Sequence, residues 1–235
     1  SRPSRSFVAM IAILLFAVVA RIHQIDAQDI WADEAFTYLT TQQSDMLPML
    51  RADVHPPAYF IAMRAWVAAA GTSELALRLP SALASILTVA LIYLLGRELV
   101  RWNGEDPAAS QIPVLAALLL ALSDLEVDLS HEARMYTIQT ALATFAVLLY
   151  LRWSRTRTGF TLASLGVCSA LLVYVNYLGA WTPMVIGLHG LVVLRGKQRN
   201  ALIGVMLVAA SAVLPWLMFV GRDQIGNGAG ANRAD

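Results

Sequence analysis

Asp33 and Glu34 stand side by side in Trp31-Ala32-Asp33-Glu34-Ala35-Phe36-Thr37-Tyr38, among aromatic side chains just beyond the first hydrophobic stretch. A carboxylate at a half-buried helix start beside a membrane can accept a proton from an incoming hydroxyl, so Asp33 is a candidate general base, with Glu34 beside it. The same pair is also an ordinary acidic first turn, where carboxylates complement free backbone N–H groups. Both readings stay open at this level.

Three other segments carry candidate chemistry. In His55-Pro56-Pro57 the prolines fix the backbone and Pro57 suits a first helical turn. His55 is left at a rigid corner, where a neutral imidazole could meet a metal or a phosphate oxygen, or simply satisfy a turn. Arg78, opening Arg78-Leu79-Pro80-Ser81, reads as a structural anchor to Glu74 or Asp33, with substrate contact as the second reading. In Ser130-His131-Glu132-Ala133-Arg134-Met135-Tyr136, Arg134 is the one cation of a short loop and needs a partner. An anionic lipid headgroup, gripped by two hydrogen bonds, would serve. So would Glu132, Asp128 or a residue of the first long loop.

The elements that must position these residues are apolar. Of the 235 residues, 58% are hydrophobic and 14% charged, and the mean hydropathy is +0.61, beyond an ordinary soluble domain. A bilayer core of about 30 Å needs about 20 apolar helical residues. Seven such runs recur, near Phe7–Ile25, Leu79–Leu99, Ala108–Leu122, Met135–Trp153, Phe160–Tyr174, Ala180–Leu194 and Ala201–Val220. The expected fold is an all-α membrane bundle over residues 1–220. Arg2/Arg5, Arg97/Arg101, Arg152/Arg155/Arg157 and Arg195/Lys197/Arg199 fall on one side if the runs alternate, which makes that side cytoplasmic.

The opposite side then carries two acidic loops. The first, about 26–78, holds seven acidic residues against three arginines; within it Asp33–Thr41 reads as a short helix. Pro57–Ala70 reads as an amphipathic helix with Tyr59, Phe60, Met63, Trp66 and Val67 on its apolar side, lying in the membrane interface. The second, about 123–134, holds Asp124, Glu126, Asp128 and Glu132. A net charge of +1 with no long basic run excludes a nucleic-acid partner. Cys168 is the only cysteine and sits in an apolar run, so it reads as packing. Tyr174–Trp181 reads as an aromatic belt. Residues 221–235 read as a flexible tail or the start of a missing C-terminal region, on the same side as the acidic loops.

Taken in order, Asp33-Glu34, His55-Pro56-Pro57, Arg78-Leu79-Pro80-Ser81 and Glu132-Ala133-Arg134-Met135-Tyr136 resemble the N-terminal part of GT-C class glycosyltransferases that use polyprenyl-phosphate sugars, the superfamily of protein O-mannosyltransferases and aminoarabinose transferases. The resemblance covers roughly residues 5–220. It implies that Asp33 deprotonates the acceptor and that Arg134, with Tyr136 nearby, holds the lipid phosphate. His55, Arg78 and Tyr59 are carried as further substrate contacts. A metal-assisted variant is also implied, with His55 and Glu132 as matching ligands; an imidazole among oxygen ligands would favour Zn or Mn over Mg. Asn176 departs from the pattern, standing where many relatives have histidine.

The expected activity is inverting transfer of a sugar from a polyprenyl-phosphate donor to a lipid, glycan or protein hydroxyl on the extracytoplasmic face. The alternative is a non-catalytic membrane subunit or scaffold, derived from such a transferase and working with another membrane subunit. A transporter is weaker, because the spans hold few buried charges or broken-helix pairs.

Overall fold

The computed structural model describes residues 5–231, with side chains for residues 6–226, and contains no strand among them. Helix α1 (Arg5–Ile22) leads into a segment of three short helices, α2 (Ala32–Gln42), α3 (Leu47–Ala52) and α4 (Ala58–Ala70). The long α5 (Glu74–Trp102) packs against α6 (Ile112–Ala121) and α8 (Tyr136–Thr156), with the short α7 (Asp124–Ser130) between those two in sequence. Then come α9 (Gly159–Val175), α10 (Trp181–Val193), α11 (Gly196–Trp216) and α12 (Arg222–Ala231). Each of the seven expected apolar runs falls on a helix. By length and composition, Glu74–Trp102 and Gly196–Gly226 are long and apolar enough to cross a membrane; Ser6–Ile22, Ile112–Ala121, Gly159–Val175 and Tyr177–Val193 are shorter apolar helices.

The exterior is apolar in the manner of a membrane protein. Phe160 and Val192 are 83% and 84% exposed, while Arg21, Glu34, Arg78, Glu98 and Arg134 are buried. Water would penalise both choices; a bilayer removes the first penalty, and paired hydrogen bonds offset the second. Close helix approach needs a missing Cβ at Gly96, where one would stand 2.9 Å from Pro113 Cα of α6.

Polar contacts gather the ends of the helices. Buried Arg21, in the last turn of α1, donates from Nη1 and Nη2 to the carbonyls of Ala121 and Leu120 and from Nε to Ser85 Oγ. It thereby supplies donors to the C-terminal carbonyls of α6. At the opposite end of α5, Glu98 accepts from Arg155 and Arg101 at 2.7 and 3.2 Å. Cations that the sequence groups on one side thus meet α5 there.

Three features go beyond the sequence expectations. The apolar side of α4 turns inward onto protein: Tyr59, Phe60, Met63 and Val67 are buried in a core with Leu50, Leu77, Met135 and Val175. Trp66 is tied inward too, donating from Nε1 to the Ala76 carbonyl at 2.7 Å; that carbonyl lacks its usual helical partner because Pro80, four residues on, has no N–H. Asp124, Glu126 and Asp128 lie on α7, capped by Ser123, within the segment that connects α6 to α8. Beyond residue 221 the chain continues as α12. Arg2, the Arg5 side chain and residues 232–235 lie outside the described parts.

Candidate functional site

Glu34, in the first turn of α2, is 1% exposed and accepts three hydrogen bonds. Arg78 donates from Nε to Oε1 at 2.8 Å and from Nη2 to Oε2 at 2.7 Å, and the Ala133 amide donates to Oε1 at 2.7 Å. Burial alone would raise the Glu34 pKa. The hydrogen bonds from Arg78 and Ala133, and the charge of Arg78, outweigh burial and hold it below the ordinary range. A carboxylate so committed is not free to take a proton, and what it supports is the position of α2 against Arg78 and Ala133.

Arg78 is equally committed. Its Nη1 donates to the carbonyls of Ile25 and Gln28 at 2.9 and 2.8 Å, and its Nη2 also to Asp29 at 3.3 Å. With the two bonds to Glu34, these use all five N–H donors of a guanidinium. The anchor reading of Arg78 holds with Glu34 as partner, in place of Glu74 or Asp33, and none of its N–H groups is left for a substrate.

Asp33, one residue earlier on α2, has a side chain that is 45% exposed. Its Oδ2 stands 3.8 Å from Arg134 Nη2, and its carbonyl accepts from Nη1 at 3.3 Å. The two residues read as base and phosphate ligand therefore meet, across 101 positions of sequence. Arg134 is 3% exposed, and its Nε is buried without a partner. Its guanidinium lies 6.0 Å from the Tyr136 ring centroid, in range of a cation–π contact. Ser81 donates to the Arg134 carbonyl and Thr137 to the Ser81 carbonyl, which fixes α8 on α5; Thr37 donates to the Ala133 carbonyl and fixes α2 on the same turn.

Tyr59 is 1% exposed, and its hydroxyl is buried without a hydrogen bond. Burial raises its pKa despite the opposing charge of Arg134. It is a core residue behind Arg134, so the expected direct substrate contact is corrected.

Beside the Asp33–Arg134 pair opens a cavity of about 430 Å³. Gln28, Asp29 and Trp31 line it from the α1–α2 connection, Asp128, His131 and Glu132 from α7 and the turn after it, and the Glu34–Arg78 pair from α2 and α5. Burial, with the charges of Arg78 and Arg21, lowers the His131 pKa and favours the neutral imidazole, against partial opposition from the Arg21 carbonyl and Asp128. Its Nε2 is shielded from solvent and has no partner. Burial, then Glu34, Asp33 and Asp128, raise the Glu132 pKa, and Arg134 only partly opposes them.

His55 belongs elsewhere. Its Nδ1 meets Asp53 Oδ2 at 3.1 Å, and its carbonyl accepts from Gln224 at 2.9 Å. It does not line the cavity that holds Glu132, so the pairing of His55 and Glu132 as metal ligands is corrected. Among the described residues no three His, Cys, Asp or Glu side chains converge as a metal site. Asn176 accepts from the Leu178 amide through Oδ1 and caps the short Tyr177–Ala180 turn.

Arg21, His131, Trp31 and Gln224 were not singled out by sequence. An arginine in the last turn of an apolar helix is a legible signal for Arg21; nothing local marks Gln224, whose amide donates to the Leu50 and His55 carbonyls more than 160 positions away.

No curated protein matches the chain. Residues 54–219 match the model of the dolichyl-phosphate-mannose-protein mannosyltransferase family, a stretch that begins after Asp33 and Glu34 and includes Arg78 and Arg134. That stretch is well over half of the chain, which therefore belongs to this family of GT-C type membrane glycosyltransferases.

Proposed function

We propose that the protein transfers a sugar from a polyprenyl-phosphate donor to a hydroxyl acceptor on the extracytoplasmic side of a cell membrane, with inversion at the anomeric carbon. The observation that carries this reading is the meeting of a half-exposed carboxylate, Asp33, with a buried guanidinium, Arg134, whose Nε has no partner. A guanidinium in that state is a ready phosphate ligand, since the phosphate completes its hydrogen bonds. At 3.8 Å the pair leaves no room for an anomeric carbon between base and leaving group. The donor phosphate must therefore draw Arg134 off Asp33, and binding of the donor itself frees the carboxylate for the acceptor proton. Asp33 then takes that proton as the acceptor oxygen attacks, the bond from the anomeric carbon to the phosphate oxygen breaks, and Arg134 stabilises the charge left on the lipid phosphate. Glu34 and Arg78 hold α2 and α5 in register beneath this pair. Arginine can hold the phosphate unaided, so the reading requires no cation.

The test is transfer from polyprenyl-phosphate sugars by protein in lipid nanodiscs. Asp33→Asn should abolish transfer with donor binding nearly unchanged, while Arg134→Ala should chiefly weaken donor binding. Transfer near the wild-type rate in Asp33→Asn removes the assigned base, and a wild-type protein inert toward every such donor favours the non-catalytic subunit.

A further inference from the structure

We propose that Arg101, Arg152 and Arg155, gathered around buried Glu98, form a binding site for the phosphate of an anionic membrane phospholipid. On α5, Arg78 and Glu98 stand about 30 Å apart along the axis, at about 1.5 Å per residue. That span matches the hydrocarbon core of a bilayer. The lipid therefore belongs to the leaflet opposite the Asp33–Arg134 pair, and its binding is independent of the reaction at that other end.

Cations at helix C-termini are common, because they offset the free carbonyls there. These differ in being drawn to one point by a buried carboxylate. Glu98 accepts from Arg155 Nε at Oε1 and from Arg101 Nη1 at Oε2, at 2.7 and 3.2 Å. Two guanidiniums, one from α8 and one from α5, are thus held side by side on the oxygens of a single carbon. Each spends one of its five N–H donors on Glu98 and makes no other hydrogen bond, which leaves four on each. The Arg101 and Arg155 side chains are 39% and 54% exposed, so those donors are open to a ligand. Arg152 stands one turn before Arg155 on the same face of α8, and its guanidinium has no hydrogen bond or ion pair among the described residues. Three positive charges therefore surround one negative charge. Glu105 and Asp106, in the exposed link after α5, make no ion pair with these arginines. A phosphate, whose oxygens accept from two guanidinium forks at once, supplies the missing counter-charge.

Apolar surface beside the cluster selects a lipid as the source of that phosphate. Leu99 and Trp102, in the last turn of α5, are exposed. Trp102 lies one turn past Glu98 on the same helix face, where an indole suits the headgroup level of a membrane. Leu99 lies nearer the bilayer centre, where an acyl chain would run. A basic pocket between helix ends, flanked by lipid-facing apolar side chains, is an arrangement suited to anionic headgroups. Phosphatidylcholine brings its own cation to the cluster and gains less there.

Native mass spectrometry of the full chain in detergent micelles, titrated with phosphatidylglycerol or phosphatidylcholine, tests the site. One phosphatidylglycerol should bind at least about tenfold more tightly than phosphatidylcholine, and Arg101→Gln and Arg152→Gln should each weaken it by about tenfold. Both variants leave Arg155 on Glu98, and an unchanged unfolding temperature verifies that the fold is intact. Arg155→Lys keeps the charge but loses the fork, and should weaken binding by at least about threefold. Arg199→Gln removes the same charge at an exposed position of α11 outside the cluster, and should leave binding unchanged. Equal affinity for the two lipids, or an equal loss in Arg199→Gln and Arg152→Gln, overturns the site in favour of diffuse surface charge. Displacement of phosphatidylglycerol by millimolar inorganic phosphate overturns the lipid assignment, since a free anion would then suffice. Asp33→Asn and Arg134→Ala should leave the affinity unchanged; its loss in Arg134→Ala would place the lipid at the opposite end of α5 and sink the proposal, whatever those variants do to transfer.

Discussion

Replacing Glu34 by alanine removes the acceptor of three buried hydrogen bonds, two from Arg78 and one from the Ala133 amide. What remains is a guanidinium 2% exposed, still bonded to three carbonyls but without a counter-charge, and an amide with no acceptor. Leaving one member of a buried pair uncompensated costs about 3–5 kcal/mol. Asp33→Ala at the adjacent position breaks a 3.8 Å contact from a side chain that is 45% exposed and also leaves the buried Arg134 without that carboxylate; because the contact is long and half-exposed, it should cost less than Glu34→Ala. The two neighbouring carboxylates should therefore separate cleanly, Glu34 acting on stability and Asp33 on transfer. The assay is reversible denaturation in mixed micelles, run beside transfer by the refolded protein. Arg78→Met should also be costly, because it strands the Ile25, Gln28 and Asp29 carbonyls. The Glu34→Ala/Arg78→Met double variant should then be less destabilised than the sum of the single variants by about 2–3 kcal/mol. The pH dependence has a definite sign: a carboxyl whose folded pKa lies below its unfolded value stabilises above the unfolded pKa and loses that contribution as pH falls through the folded value. Stability should decline below about pH 4.3, the ordinary glutamate value, and this component should be absent in Glu34→Ala. A Glu34→Ala protein within about 1 kcal/mol of wild type, or one as destabilised by Asp33→Ala as by Glu34→Ala, would refute the division of labour.

Three further outcomes follow from local geometry. Trp66→Phe should cost about 1–2 kcal/mol by orphaning the Ala76 carbonyl, and Pro80→Ala in the same chain should recover part of it by restoring a backbone N–H four residues on; no recovery in denaturation would discount this explanation. Gly96→Ala places a Cβ 2.9 Å from Pro113 Cα and should cost about 1–3 kcal/mol through separation of α5 and α6, read as a lowered unfolding temperature. In a Cys168→Ser background, a cysteine at exposed Thr156 should react with an impermeant reagent only after cells are opened, and one at exposed Asp124 in intact cells; the reverse pattern would invert the proposed orientation.

The helices of the bundle were legible because long apolar runs have few alternatives, and the site was partly legible because Asp33 and Arg134 are costly residues to place near apolar surface without a purpose. What was not legible has a common physical origin. In water, polarity shows which face of a helix turns inward; in a membrane, lipid and protein core are both apolar, and the same side chains suit either. The face of α4 bearing Tyr59, Phe60 and Met63 therefore reads as apolar without revealing what it meets, since nothing in its own spacing points to the Leu50, Met135 and Val175 that cover it. The two carboxylates pose the complementary problem. Adjacent on one helix, Asp33 and Glu34 have nearly the same local sequence, and their difference is imposed by Arg78 and Ala133, 44 and 99 positions away. With those partners Glu34 is buried and spent as an acceptor, and Asp33, half-exposed, is left as the carboxylate of the pair able to meet a substrate.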